Sequence, residues 1–194
     1  PEKITVTAGL SISSAEIANI VYYYPLINGV GNFLKRPIVK ILDNVSSAEI
    51  VDRGIRTFLD SYKDTIYATG QCAKLAVYCG RIEKLETIIL PIAQRVTVEY
   101  GLNPSECILK YYENSPADDQ LAFASLDLPF SKIRIVLLVQ IGKEGWDCRS
   151  LTGIILSQEG DCHKTMVLQT SCRCLRQVAK GTPETALIYL NGGN

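Results

Sequence analysis

The 194-residue sequence has little of several features that mark particular classes of protein. It holds one His, one Trp and one Met, and no apolar run approaches the 18 residues of a membrane-spanning helix. Its 20 Lys and Arg balance its 20 Asp and Glu, so it lacks the basic excess of a free-standing nucleic-acid binder. The hydrophobic content of 47% excludes a disordered tail. We therefore expect one folded domain or lobe without a membrane segment.

The seven cysteines cannot form a complete set of disulfides, because their number is odd. Several lie in apolar runs, as Cys79 does after residues 75–78, which favours reduced thiols packed as small hydrophobic residues in a cytoplasmic protein. The chain begins at Pro1 with no signal-like segment, so we expect it to be a piece of a longer protein. Zinc is the alternative, although the spacing matches no common site. Its candidate ligands are Cys162, His163, Cys172 and Cys174.

Short apolar runs alternate with helical patterns along most of the chain. A capping box at residues 46–49 begins a helix, and a second box of the same form lies at residues 13–16. Strands separated by helices indicate an α/β fold, a mostly parallel sheet with helices on both faces. We expect ligands at the carboxyl ends of its strands. The predicted strands are 75–79, 107–111, 133–139, 151–156 and 186–190, and residues 37–42 are expected to be an extended segment after irregular chain.

Two further segments are interpreted from their composition. A helix is predicted to end at Gly101, with Thr87 as its N-cap so that Pro91 falls in the first turn. Residues 113–127 carry four acidic side chains and no basic ones, which predicts a polar loop.

A helix predicted over residues 161–178 carries a group of polar side chains on one face. Gln169, Arg173 and Arg176 are spaced i, i+4, i+7, so two guanidiniums and one carboxamide would point in one direction. Such a cluster suits phosphate binding, while a solvated face or pairing with the acidic 113–127 segment is the plain alternative. The buried stripe beside it is predicted to contain Leu168, Cys172, Leu175 and Ala179.

Two segments together resemble helicase motifs. The run Lys-Glu-Gly-Trp-Asp at 143–147 follows the strongest predicted strand, and Gln-x-x-Cys-Arg-x-x-Arg follows at 169–176. In this order they resemble motifs V and VI of the second RecA-like lobe of superfamily 2 helicases. The forms Glu-Gly-Trp-Asp and Cys-Arg-Cys-Leu-Arg most resemble the restriction subunit of type III restriction enzymes and related DEAD/DEAH-like proteins. Cys172 stands where these helicases usually have Gly, a modest enlargement that we expect function to survive.

The resemblance implies roles in nucleotide chemistry for five residues. Arg176 would be the arginine finger and Arg173 the contact to the γ-phosphate of ATP. Gln169 would orient this cluster or bind near the nucleotide. Gly145 and Asp147 would lie at the ATP site and link it to the nucleic-acid track. The resemblance thus implies an ATP-dependent DNA helicase or translocase, with RNA as the alternative substrate.

The resemblance also implies a division of the chain and nucleic-acid contacts. Residues 1–66 would form an interlobe linker with a helical segment, and residues 67–194 the RecA-like C-terminal lobe. Gly80, Arg81 and Lys143 would contact nucleic acid.

Some parts of an ATPase are absent from the sequence. It has no G-x-x-x-x-G-K-[ST] run and no acidic DExx pair after a strand, which in such helicases belong to the first lobe. We therefore expect ATP and Mg²⁺ to bind the intact protein, and these 194 residues alone to bind ATP very weakly, to retain no cofactor and to hydrolyse no ATP. The implied partners are the first lobe, DNA and a methyltransferase subunit. The competing interpretations are a non-catalytic RecA-like scaffold and a stand-alone doubly wound domain, for which residues 79–81 are too poor in glycine.

Overall fold

The fold is taken from a computed structural model, which describes residues 4–6, 10–12, 25–140, 146–158, 164–179 and 181–192. The predicted capping box at 13–16 lies outside these ranges. Within them, six strands form one parallel sheet in the order β3-β8-β7-β4-β6-β5, and β1 and β2 form a separate antiparallel pair. The strands are β1 (Ile4–Val6), β2 (Leu10–Ile12), β3 (Arg36–Leu42), β4 (Lys74–Tyr78), β5 (Ile108–Tyr111), β6 (Ile135–Leu138), β7 (Leu151–Leu156) and β8 (Thr185–Asn191).

Helices cover both faces of the parallel sheet, as predicted. The helices are α1 (Leu26–Gly29), α2 (Ser47–Tyr62), α3 (Ile82–Lys84), a π-helical turn (Leu85–Ile89), α4 (Leu90–Glu99), α5 (Pro104–Cys107), α6 (Ala117–Ala124), α7 (Lys164–Ser171) and a 3₁₀ turn (Cys172–Leu175). One hydrophobic cluster joins α2 and α4 to one face, and a second joins α7 and the 3₁₀ turn to the other.

The central strands are buried along their whole length. Every residue of β4, β6 and β7 is buried, because helices lie on both sides of the sheet. Gly153 in β7 admits a close contact with α2, since a Cβ there would lie 2.8 Å from Phe58 Cδ2. The apolar runs at these positions therefore predict the strands correctly.

Helix α2 begins as the capping box predicts. The Ser46 side chain accepts a hydrogen bond from the backbone N–H of Glu49. The predicted apolar stripe faces the core, and Val51, Ile55 and Phe58 are fully buried.

The helix that ends before Gly101 starts earlier than predicted. Thr87 is not its N-cap; it lies inside the π-helical turn, and the helical run begins at Ile82. Pro91 has no N–H for the regular ladder, and the wider π turn before it accommodates that loss. The end is as predicted: Gly101 N donates to Val98 O and Leu102 N to Thr97 O, the two bonds of a Schellman motif.

The acidic segment 113–127 is not a continuous loop. Residues 117–124 form α6, with Asp118 and Asp119 in its first turn. Carboxylates at that position favour the helix N-terminus, and Phe123 packs its ring on Tyr111. The prediction counted charges and overlooked this start signal.

Two elements before residue 67 belong to the same sheet and core. Strand β3 pairs with β8 at one edge, and α2 packs on β7 and β8. The division of the chain at residue 66 stays a prediction, but it does not coincide with a boundary of the sheet. Among the described residues, no helix is long and apolar enough to cross a membrane.

Candidate functional site

The segment that carries the two arginines changes conformation within a few residues. Helix α7 ends at Ser171, a single 3₁₀ turn follows, and Arg176 is extended with φ −68° and ψ 128°. The prediction of one helix over 161–178 is therefore wrong at its C-terminal end. Arg176 leaves the helical face that carries Gln169, so the three polar side chains do not share the predicted i, i+4, i+7 face.

The buried stripe of α7 also differs from the prediction. Leu168 is 44% exposed, and Cys172 and Ala179 are only partly buried. The buried positions follow i, i+3, i+4, i+7, i+8, which is the spacing of a helical stripe. Two of these residues carry hydroxyl groups, so hydropathy alone does not identify the stripe. The buried residues are Val167, Thr170, Ser171, Cys174 and Leu175.

Arg176 is extended because its backbone pairs with a remote segment. Leu34 and Arg176 form an antiparallel bridge, Lys35 N donates to Leu175 O at 2.6 Å, and Gln177 N donates to Phe33 O at 3.3 Å. These bonds replace those of a continued helix. The residues around Arg176 carry no local pattern that predicts pairing with Leu34, some 140 residues earlier.

The structure brings the two motif segments together. Arg173 Nη1 donates to the backbone oxygen of Trp146 at 2.6 Å, and the Arg176 guanidinium pairs with the Asp147 carboxylate. Arg176 and Asp147 are 54% and 56% exposed, so this ion pair faces solvent. Gly145 and Lys143 lie outside the described residues.

Trp146 is held by a stack of aromatic rings. Its ring centroid lies 5.1 Å from that of Phe123, which lies 3.9 Å from that of Tyr111. Offset stacking of this kind contributes about 0.5–1.5 kcal/mol beyond burial. Because Phe123 belongs to α6, this helix fixes the backbone oxygen of Trp146 that accepts the hydrogen bond from Arg173. The sequence did not predict α6.

Asp127 anchors the chain just after Asp147. Its carboxylate accepts hydrogen bonds from the N–H groups of Arg149 at 2.6 Å and Ser150 at 2.9 Å, and from the Ser150 hydroxyl at 2.6 Å. Burial raises the pKa of Asp127, but these hydrogen bonds outweigh it and hold the pKa below its usual value. Sequence reasoning missed this role because Asp127 was one acid among four in a presumed loop.

A buried ion pair lies beside the arginine segment. Lys35 is completely buried, and its Nζ lies 3.7 Å from Glu184 Oε2. Burial lowers the pKa of Lys35, and the negative charge of Glu184 opposes that shift. The sequence offered no sign that this lysine is internal.

The predicted nucleic-acid residues lie elsewhere. Gly80 and Arg81 follow β4 at the carboxyl edge of the sheet, whereas Asp147 and Arg176 lie close to the amino ends of β7 and β3. Gly80 has φ +81°, and a Cβ there would meet Gln158 Nε2 at 3.2 Å, so the tight turn requires glycine. The Asp147–Arg176 pair is thus at the amino edge of the sheet, whereas we expected ligands at the carboxyl edge.

Gln169 is exposed on α7, one helical turn before Arg173. Arg173 lies in the 3₁₀ turn that follows the helix, so the shared face of these two residues stays a prediction.

The described cysteines are buried or half-buried free thiols. Burial raises the pKa of Cys79, Cys148 and Cys174 to about 12, which keeps these thiols protonated at neutral pH. Cys162 and His163 lie outside the described residues, so the zinc alternative is untested there. Within the described part of the chain, no three metal-ligating side chains come together.

No family model matches the sequence, and no curated relative does. Solved structures share its fold. A fragment of an HsdR subunit of a type I restriction enzyme from Vibrio vulnificus YJ016 matches with a TM-score of 0.66 and 11% identity, covering 88% of this chain and 34% of that one. Domain 2 of the DEAD-box helicase Mss116p, bound to an RNA duplex, matches with a TM-score of 0.53 and 9% identity, covering 80% and 54%.

A third structure comes from another restriction system. The ATP-dependent type ISP restriction-modification enzyme LlaBIII, bound to DNA, matches with a TM-score of 0.50 and 17% identity, covering 81% of this chain and 12% of that one. The chain spans less than two thirds of each of these three proteins. The chain shares the fold of these restriction-enzyme and helicase domains, a parallel sheet with helices on both faces, which confirms the predicted fold class.

Proposed function

We propose that the chain is the C-terminal motor lobe of an ATP-dependent DNA helicase or translocase in a type III restriction enzyme. The observation that carries the proposal is the contact between its two motif segments. Arg173 and Arg176 are held by consecutive residues, Trp146 and Asp147; Arg173 is half-buried, and the Arg176–Asp147 pair faces solvent. Two guanidiniums fixed in this way are suited to the phosphates of a nucleotide held mainly by a first lobe.

The chemistry of the arginines fits a triphosphate. A guanidinium presents its N–H donors in a fork that matches phosphate oxygens, and it stays charged at any physiological pH. When bound, ATP would supply the phosphoryl group that is transferred to water. Arg176 would stabilise the charge that develops on that group, and Arg173 would bind the γ-phosphate.

The remaining roles follow the same proposal. Gln169 would bind near the nucleotide, and Asp147 would hold Arg176 in position beside it and, with Gly145, link the nucleotide site to the nucleic-acid track. The Mg²⁺ ligands are proposed to lie on the first lobe, together with the phosphate loop. Gly80 and Arg81 would contact nucleic acid at the other edge of the sheet, and Lys143 is proposed to contact it as well.

The kind of system is part of the proposal. The motif forms at 143–147 and 169–176 support a type III enzyme, while the similar structures come from type I and type ISP enzymes. DNA is proposed as the substrate because two of these structures belong to restriction systems, and a methyltransferase subunit is then the expected partner. A cytoplasmic location accords with the reduced thiols.

A non-catalytic scaffold is the second candidate. The observation in its favour is that Arg176 already pairs with a carboxylate of its own chain. Such a lobe would bind nucleic acid or a partner without nucleotide turnover. Absence of ATP hydrolysis by the intact wild-type protein would support it.

The decisive experiment is Arg176→Ala in the full-length protein. We expect ATP hydrolysis to fall by about 10³–10⁵-fold, the range known for arginine fingers, with an unchanged circular dichroism spectrum. Arg95→Ala is the matched control, because Arg95 is an exposed arginine paired with Asp52 on a helical surface. Wild-type turnover by the Arg176→Ala protein would remove Arg176 from the finger role.

The 194-residue chain alone should bind ATP very weakly and hydrolyse none. Measurable turnover by the purified chain would contradict the proposal that the phosphate loop lies on another lobe.

A further inference from the structure

The position of Arg176 is set by backbone and side-chain contacts that hold residues 175–179. Arg176 lies beyond the 3₁₀ turn, so no helical hydrogen bonds fix it. Its backbone instead lies on residues 33–35, through the bridge to Leu34 and the bonds on either side. Any interaction that stabilises this backbone pairing therefore also fixes the position of the Arg176 guanidinium.

Lys35 is at the centre of these contacts. Its N–H donates to Leu175 O, and its ammonium group donates to Leu151 O at 2.9 Å and lies 5.1 Å from the Tyr67 ring centroid. A fully buried ammonium is costly unless it is paired and hydrogen-bonded. Glu184 supplies the counter-charge at 3.7 Å.

Glu184 connects that ammonium to the chain after Arg176. Its carboxylate accepts hydrogen bonds from Val178 N at 3.1 Å and Ala179 N at 2.9 Å. Its backbone oxygen accepts from Arg36 N at 2.8 Å. Glu184 thus connects three parts of the chain: its carboxylate contacts the buried lysine and the residues that follow Arg176, and its backbone oxygen binds the start of β3.

We propose that Lys35 and Glu184 form a positioning pair that holds residues 175–179 and thereby orients Arg176 toward the nucleotide. This inference rests on the proposed function of Arg176. Neither residue contacts the reacting atoms; both act through the backbone of the arginine segment. The pair also couples Arg176 to residues 33–35, which pair with its backbone.

The test is Lys35→Met in the full-length protein, with Lys74→Met as the matched control. Lys74 in β4 is also completely buried, but its ammonium donates to Ile133 O at 2.8 Å and Cys72 Sγ at 3.2 Å, and neither acceptor belongs to the arginine segment. Both changes remove a buried charge and keep an unbranched side chain. We expect Lys35→Met to lower kcat for ATP by about 10–100-fold, the cost of a small misplacement, with KM within about twofold of wild type.

Lys74→Met should keep kcat within about twofold of wild type when rates are expressed per folded molecule, measured by thermal unfolding in the same buffer. Equal losses in the two variants would show a merely structural lysine and overturn the pair. A rise in KM with unchanged kcat would overturn it too.

Glu184→Gln keeps the inference testable if Lys35→Met does not fold. Glutamine still accepts from the two N–H groups but removes the counter-charge of Lys35, so kcat should fall in the same way. Wild-type kcat in Glu184→Gln would overturn the pair. If Arg176→Ala retains turnover, the proposed function fails; if it does not, while Lys35→Met and Glu184→Gln match Lys74→Met, only the positioning pair fails.

Discussion

The guanidinium of Arg176 forms an ion pair with the carboxylate of Asp147, which lies 29 residues earlier in the chain. The pair joins the two segments that resemble helicase motifs V and VI. Because both side chains are more than half exposed, the pair adds little stability, on the order of 0.2–1 kcal/mol or less. Its consequence is therefore expected in turnover.

Asp147→Asn tests this expectation. Loss of the carboxylate frees Arg176 from its partner and should lower kcat of the full-length protein by roughly 10–100-fold through misplacement, with an unfolding midpoint close to wild type. Steady-state ATPase assays measure the first quantity and thermal melts the second. Glu106→Gln removes another exposed carboxylate, that of the pair with Lys132, and should leave kcat unchanged. Equal kcat in the two variants would contradict the role of Asp147.

The pH dependence of stability is expected to report on Asp127. Its pKa is lower in the folded than in the unfolded protein, so its contribution to stability is complete above about pH 4, the ordinary range of an aspartate, and is lost as pH falls through the folded pKa. Asp127→Asn should destabilise the fold by about 1.5–3 kcal/mol at pH 7 and by less at low pH. Urea unfolding at several pH values measures both. The exposed Glu113→Gln is the control, and a difference that grows as the pH falls would contradict the prediction.

Gly153→Ala should weaken the contact between α2 and β7. The new Cβ would lie 2.8 Å from both Phe58 Cδ2 and Leu75 Cδ1, so the core must shift at a cost of about 1–3 kcal/mol. Chemical denaturation measures the loss. Adding Phe58→Leu should restore part of it, since the smaller side chain makes room; a double variant less stable than the sum of both single losses would contradict this packing account.

The buried thiols should resist alkylation. A pKa of about 12 leaves roughly one Cys174 side chain in 10⁵ as thiolate at pH 7, and the same holds for Cys79 and Cys148. In native protein treated with N-ethylmaleimide, peptide mass spectrometry should find these three sites unmodified and the half-buried Cys172 modified first. All should react in urea. Rapid labelling of Cys174 in the native protein would contradict its burial.

Much of the fold could be predicted because its signals are local. The strand β4 is a run of apolar residues bounded by a glycine, and α2 carries its own capping box, so neither depends on a distant partner. The same holds for the Schellman end of α4 at Gly101. The π-helical turn and α6 were missed because they rest on weaker cues, a proline inside a helical pattern and two acids in a short first turn.

The candidate site could be predicted in its composition but not in its arrangement. The residue types and spacing singled out Arg173, Arg176 and Asp147. The contacts that position them join residues far apart in sequence: 29 for Arg176 and Asp147, and 116 for the Lys35 ammonium and Leu151. Local pattern carries no information on such pairs.

Apolar periodicity and capping signals specified the central buried strands and α2, because burial of an apolar face and a helix start are properties of consecutive residues. The end of the helix before Arg176, the internal place of Lys35 and the meeting of Asp147 with Arg176 came from packing of the sheet. Parallel strands bring the ends of distant segments to one edge of the sheet. Only there does the buried ammonium of Lys35 pair with Glu184, and only there does the extended Arg176 pair with Leu34.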